Sequence, residues 1–166
     1  MLISSYQLEG LMRHLNLQRQ TLKFAKRIIL PADISICHRC LAAIERIKRN
    51  HNEAETHLQE AIKIAKKIGM PELEIEALLE FSRLDLDRGE YKGAIDKADD
   101  ALKIIDRTGF KIYEPQAELI LAKTYLNQGN KEKAKSLANS TYQKANQMNY
   151  YRPKQEATQI LERIKP

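Results

Sequence analysis

Only two of the 166 residues are cysteine, so no disulfide framework can hold this chain together. Its six glycines form no Gly-rich phosphate loop, which leaves no nucleotide cradle of that kind. No apolar run approaches the roughly eighteen residues of a membrane span, and Met1-Leu2-Ile3-Ser4-Ser5 has neither the basic start nor the apolar stretch of a secretory signal. A cytoplasmic protein without membrane attachment is therefore the expectation. A nucleophile elbow and a pair of histidines at zinc-protease spacing are also missing. The acidic run Glu72, Glu74, Glu76, Glu80, Asp85 and Asp87 reads as a solvated helix face rather than an acid–base pair. No catalysis, catalytic residue or cofactor is expected.

One stretch has the residue types of chemistry: Cys37-His38-Arg39-Cys40. A structural zinc takes four ligands, and no second Cys pair exists, so His14, His51 and His57 would have to converge on it. A simpler account comes from alignment of the chain with itself. Cys37 falls where Ala77 and Ala117 fall, and Cys40 where Glu80 and Ile120 fall. Cys37 is thus expected to be a small core residue, a role that free cysteine often fills, and no metal is expected.

That alignment is the main signal. Ala54, Ala94 and Ala134 stand forty positions apart, and their surroundings repeat at the same interval. Leu41, Phe81 and Leu121 fall in register, followed by Ala42, Ser82 and Ala122; a second run aligns Leu58 with Ala98 and Ala138, and Ala65 with Ile105 and Ala145. Within each run the apolar and small positions recur at three- and four-residue steps, which line one face of an α-helix. Each repeat is therefore a pair of helices. Gly89 and Gly129, with Arg49-Asn50 in the preceding unit, mark the turn inside a pair, and Gly69, Gly109 and Asn149 mark its end. A hairpin this small cannot bury its apolar face alone, so successive hairpins must stack.

The residues resemble the tetratricopeptide repeat family. Residues 121–134 carry the pattern through Leu121, Ala122, Tyr125, Gly129 and Ala134, and the unit at 81–101 carries it through Phe81, Ser82, Gly89, Tyr91, Ala94 and Ala101. The unit at 41–61 departs from it, with Glu45 for the aromatic residue and Arg49 for the turn glycine. The forty-residue period exceeds the family's usual thirty-four or so and implies longer helices, as in kinesin light chains, peptide-sensing regulators and the sensor arms of signalling ATPases. The resemblance implies an all-α fold: a right-handed superhelix (α-solenoid) of antiparallel helix hairpins with a C-terminal capping helix. The expected organisation is a single domain over 1–166: a partial first repeat at 1–30, repeats at 33–70, 72–110 and 113–149, and a capping helix at 154–164. At the start, the offset sets Glu9 and Gly10 opposite the turn pair Arg49-Asn50, as in a repeat whose first helix is cut short.

Charge is segregated. The net +6 divides into +6 over residues 1–50, −5 over 51–110 and +5 over 111–166. Exposed pairs between such segments contribute only about 0–1 kcal/mol each, so a solvated surface is the simple account.

In this family the first helix of each hairpin lines a concave groove that takes a protein segment. Transferred position by position, the groove comprises Arg39, Ala43 and Arg46, then Leu79, Arg83 and Leu86, then Leu119, Lys123, Leu126 and Asn127. Leu79 and Leu119 would offer apolar contact while Arg83, Lys123 and Asn127 fix orientation, which suits an acidic peptide. The chaperone-binding carboxylate clamp of some relatives is not reproduced. The leading expectation is thus a non-catalytic protein-binding module. The alternatives are a sensor or regulatory arm of a larger signalling ATPase or transcription regulator, and nucleic-acid binding. Nucleic acid would engage Arg13, Arg19, Lys23, Lys26 and Arg27 at one end and Tyr150 and Tyr151 at the other, but the acidic middle would repel a continuous strand. An uncovered end hairpin would also suit a homodimer.

Overall fold

A computed structural model describes residues 5–27 and 30–164, with side-chain environments for 9–26 and 30–164. Among the described residues the regular structure is helical throughout: α1 (Ser5–Arg27), α2 (Pro31–Ile47), α3 (His51–Lys67), α4 (Pro71–Arg88), α5 (Tyr91–Thr108), α6 (Glu114–Asn127), α7 (Lys131–Gln147) and α8 (Tyr151–Ile164). A short 3-10 turn, Lys111–Tyr113, precedes α6. The fold is an all-α helical-hairpin repeat of the α-solenoid class.

The connections obey a rule finer than the forty-residue repeat. Positive φ occurs at Arg49, Gly69, Gly89, Gly109, Gly129 and Asn149, twenty residues apart each time. At five of these the next residue sends its N–H back five positions: Asn50 to Glu45 O, Met70 to Ala65 O, Glu90 to Asp85 O, Asn130 to Tyr125 O and Tyr150 to Ala145 O, all within 2.7–3.0 Å. This is the left-handed C-cap that closes orphan carbonyls at a helix end. At Gly109 the cap is instead a single bond from its own N–H to Ile105 O at 2.8 Å, and the 3-10 turn follows. That departure sets the start of α6 later than the twenty-residue rhythm requires.

Two compact units divide the chain, residues 1–80 and 81–166. In the first, α1 packs on α2 and α2 packs on α3. Leu15 of α1 is buried with Leu41 and Ile44 of α2, flanked by Leu11 and Leu22. The α2–α3 contact is close because Ala54, Ala61 and Ala65 are fully buried and small. It is tied by the Ser35 hydroxyl, which donates to Ala61 O at 2.9 Å.

The helix α1 runs unbroken through Gly10, where the forty-residue offset placed a turn. Gly10 is not among the positive-φ glycines, and a helix that continues keeps the intrahelical bonds a turn would break. On α1 the positions matching the buried Ala54, Leu58 and Ala61 are His14, Gln18 and Thr21, of which His14 and Thr21 are exposed.

In the second unit α5 packs on α6, α6 on α7, and both α6 and α7 on α8. Its core gathers Leu119, Ala122, Ala138, Ala157 and Ile160, with Leu126, Leu137, Leu161 and Ile164 at the margin. The Ser82 hydroxyl donates to the Ala94 backbone carbonyl at 2.6 Å, holding α4 to α5. The last helix, α8, is amphipathic: Ala157 and Ile160 are buried, and Arg152, Gln155, Gln159, Glu162 and Arg163 are exposed.

Candidate functional site

The residues assigned to the groove all lie on the first helix of a hairpin. In the first unit, Arg39 and Ala43 are half-buried on α2, and Arg39 Nε lies 3.2 Å from Glu76 Oε2. Two turns further on, Arg46 Nε donates to Glu80 Oε1 at 2.8 Å. Glu80 is only 6% exposed, so this pair is largely shielded from water. Leu79 is 1% exposed and belongs to the core.

In the second unit, Arg83 on α4 donates from Nη2 to Gln116 Oε1 on α6 at 3.1 Å. Lys123 on α6 donates from Nζ to Glu156 Oε2 on α8. Burial pushes the Glu156 carboxyl up, but its bonds to Lys123 and Arg152 outweigh that and hold it below the usual carboxylate range. These two contacts are one interaction repeated: Arg83 and Lys123 are forty residues apart, and so are Gln116 and Glu156. Leu86 is half-buried, Leu119 is 7% exposed within the core, Leu126 packs against that core, and Asn127 is exposed.

The apolar half of the expected groove therefore differs from expectation. Leu79 and Leu119 face inward, because the first-helix positions that meet neighbouring helices take the apolar residues and leave the polar ones outside. Polar side chains remain on the outward positions: Arg39 and Arg46, with Ala43, in the first unit, and Arg83, Lys123 and Asn127, with Leu86, in the second. The cations already have partners on the next first helix, which fixes their rotamers before any ligand arrives.

Sequence reading did not identify those partners. Glu76, Gln116 and Glu156 lie at the same forty-residue interval as the groove cations, and that spacing was the signal available.

The Cys-x-x-Cys segment has no metal-ready geometry. Cys37 is 3% exposed, and its thiol is pushed up by burial, with Cys40 and Asp33 adding to the shift. Cys40 is half-buried and its thiol is likewise raised, chiefly by burial. Burial thus favours the protonated form of both thiols, the less reactive one. Among the described residues no group of three or more His, Cys, Asp or Glu is placed to hold a metal ion.

At the basic end, Arg13 pairs with Glu9 at 2.6 Å and Arg19 with Glu45 at 3.5 Å; Lys23 and Lys26 are exposed, and the Arg27 side chain lies outside the described residues. At the other end Tyr151 is 76% exposed and Tyr150 is half-buried. No helix among the described residues is long and apolar enough to cross a membrane.

Comparison with known proteins agrees with the helical-repeat fold. The tetratricopeptide repeat family model matches residues 33–107. Over these residues the chain is similar to tetratricopeptide repeats. Repeats of this family mediate protein–protein interaction and are typically non-catalytic. Among solved structures, BtubC (BKLC) from P. vanneervenii is similar in fold, with a TM-score of 0.69 at 18% identity, over 84% of this chain and 59% of that one. The present chain thus spans less than two thirds of that protein's length. No curated protein matches the chain.

Proposed function

We propose that the chain is a non-catalytic, cytoplasmic binding module that takes a protein segment along the first-helix face of its hairpins, the concave side in tetratricopeptide superhelices. The observation that carries this reading is the repeated bond Arg83–Gln116 and Lys123–Glu156, which holds two cations in register at the repeat interval. An extended segment with acidic groups at matching intervals would exchange Gln116 and Glu156 for its own carboxylates. The gain per exchange is modest, since a charge-assisted bond is lost for each one formed. Affinity would therefore come from several contacts along the face, including hydrogen bonds from the Asn127 side chain and apolar contact with Leu86.

The test is selection from a displayed peptide library against the intact chain, followed by binding to Arg83→Gln with Lys123→Gln. Neutral substitutions are required, because an acid at 123 would face Glu156 and destabilise α6 against α8. Loss of at least tenfold in affinity with unchanged melting supports the reading. Equal binding by the variant contradicts it.

A homodimer through the exposed end is a further proposal for the same chain. On α1, Met12, Leu17 and Phe24 are 42%, 56% and 62% exposed. Sedimentation of the native chain against Leu17→Ser with Phe24→Ser would separate the two states, and a monomer throughout would remove the idea.

A further inference from the structure

All four histidines, His14, His38, His51 and His57, lie in the first 57 residues, and residues 81–166 contain none. Two of them meet. His38 on α2 is 7% exposed and His57 on α3 is half-buried, and their Nδ1 atoms are 2.9 Å apart with ring centroids at 5.0 Å. A bond between two ring nitrogens needs one hydrogen between them, so one ring donates from Nδ1 and the other accepts there while carrying its own hydrogen on Nε2.

That geometry limits how many protons the closed hairpin can hold. A first extra proton goes to Nε2 of the donating ring, and the bond survives as a charge-assisted one. A second has only the accepting Nδ1 left to occupy. Two N–H groups would then point at each other across 2.9 Å, between two positive rings, and the rings must separate.

The surroundings do not relieve this conflict. Lys26 and Arg19 of α1 face the pair, as do Glu45 of α2 and Glu53 and Glu60 of α3. Glu45 is already engaged by Lys48, Asn50 and Arg19, and Glu60 by Lys63. Burial is the largest influence on both rings and favours their neutral forms.

We propose that the His38–His57 pair is an acid-operated catch: it holds the α2–α3 hairpin closed with up to one extra proton and releases it on the second, within residues 1–80 alone. The sign follows from linkage. Burial, and then the charge of His57, pull His38 from 6.5 down to about 4, and His57 is also lowered, so the open hairpin binds more protons than the closed one across that interval. Stability from the pair is complete above the ordinary histidine value and is lost as pH falls toward the lowered one. At pH 5 the open-to-closed ratio rises by roughly 30-fold over its value at neutral pH.

Hydrogen exchange of the full chain at pH 7.5 and pH 5.0, corrected for intrinsic rates, tests this directly. The expected result is a fall of roughly 30-fold in protection of α2 and α3, with α6 and α7 unchanged, and a smaller pH dependence in α2 and α3 of His57→Gln, where burial of His38 remains but the second ring is gone. Equal loss in both regions, or an undiminished pH dependence in His57→Gln, overturns the proposal. Titration of the imidazole resonances of the unaltered chain provides a readout that needs no variant. One of the two rings must titrate well below 6.5, and two independent titrations near 6.5 overturn the catch.

Discussion

Asn50 is bound to Glu45 twice: its backbone N–H donates to the Glu45 carbonyl at 2.9 Å, and its side-chain amide donates to the Glu45 carboxylate at 2.7 Å. Between them Arg49 sits at φ 64°, a left-handed position that the equivalent turns fill with Gly89 and Gly129. The family's glycine is missing here, and the two hydrogen bonds from Asn50 hold the same turn. An arginine in this conformation carries a steric cost that glycine lacks. Arg49→Gly is therefore expected to raise stability by about 0.5–1 kcal/mol, read from the urea midpoint at constant slope. Glu45→Ala should lower it by about 2–3 kcal/mol, because Lys48, Asn50 and Arg19 lose a shared, fully buried acceptor.

Lys144 joins α7 to α6 through Glu118 at 2.5 Å and Glu114 at 2.9 Å. Burial pushes Glu114 up, but bonds from Lys111 and Lys144 prevail and leave it lowered. A lowered carboxylate contributes stability that is present above its ordinary value of 4.5 and is lost as pH falls through the lowered one. Lys144→Met should cost about 1–3 kcal/mol at neutral pH and shrink the further loss on acidification below that value. Urea titrations at pH 7 and pH 3.5 measure both. A variant whose acid loss equals that of the native chain would contradict the assignment.

Thr141 is fully buried on α7, and its Oγ1 has no hydrogen-bond partner among the described residues. A buried hydroxyl without a partner costs its desolvation, and valine keeps nearly the same shape without that cost. Thr141→Val is expected to stabilise by about 1 kcal/mol. A destabilised variant would show that the hydroxyl has a partner after all.

Ala138 lies fully buried in the α6–α7–α8 core. Its small side chain sets the distance at which these helices cross, so Ala138→Leu must spread them or force strained rotamers. The expected cost is about 1–3 kcal/mol or more, seen as a lowered denaturant midpoint. By contrast, Asn139→Leu one position along is exposed and should be near neutral.

The helices and their stops were legible because both are local. Ala54, Ala94 and Ala134 announce the period, and residues able to adopt positive φ recur at the ends of helices. Arg49 was recognised by register alone, since nothing in an arginine signals a left-handed turn. Orientation within the first helices was less legible. Transfer of a family pattern puts Leu79 and Leu119 on a binding face, yet burial turns them inward, while the outward cations are held by Glu80, Gln116 and Glu156, each two helices further on. Those partners lie 33 or 34 residues on, so the forty-residue alignment shows cations and partners each recurring but does not pair one with the other. The His38–His57 contact spans 19 residues across a single hairpin and has no counterpart in the later repeats, so periodicity could not reveal it.

The central claim, a binding face on the first helices, is tested most directly by photo-crosslinking. A benzophenone amino acid would be placed at Asn127, exposed at the end of α6, or at Asn139, exposed on α7. With a library-selected peptide, the account predicts a crosslink from position 127 that Arg83→Gln with Lys123→Gln abolishes, and none from position 139. Crosslinking from 139 alone would contradict it.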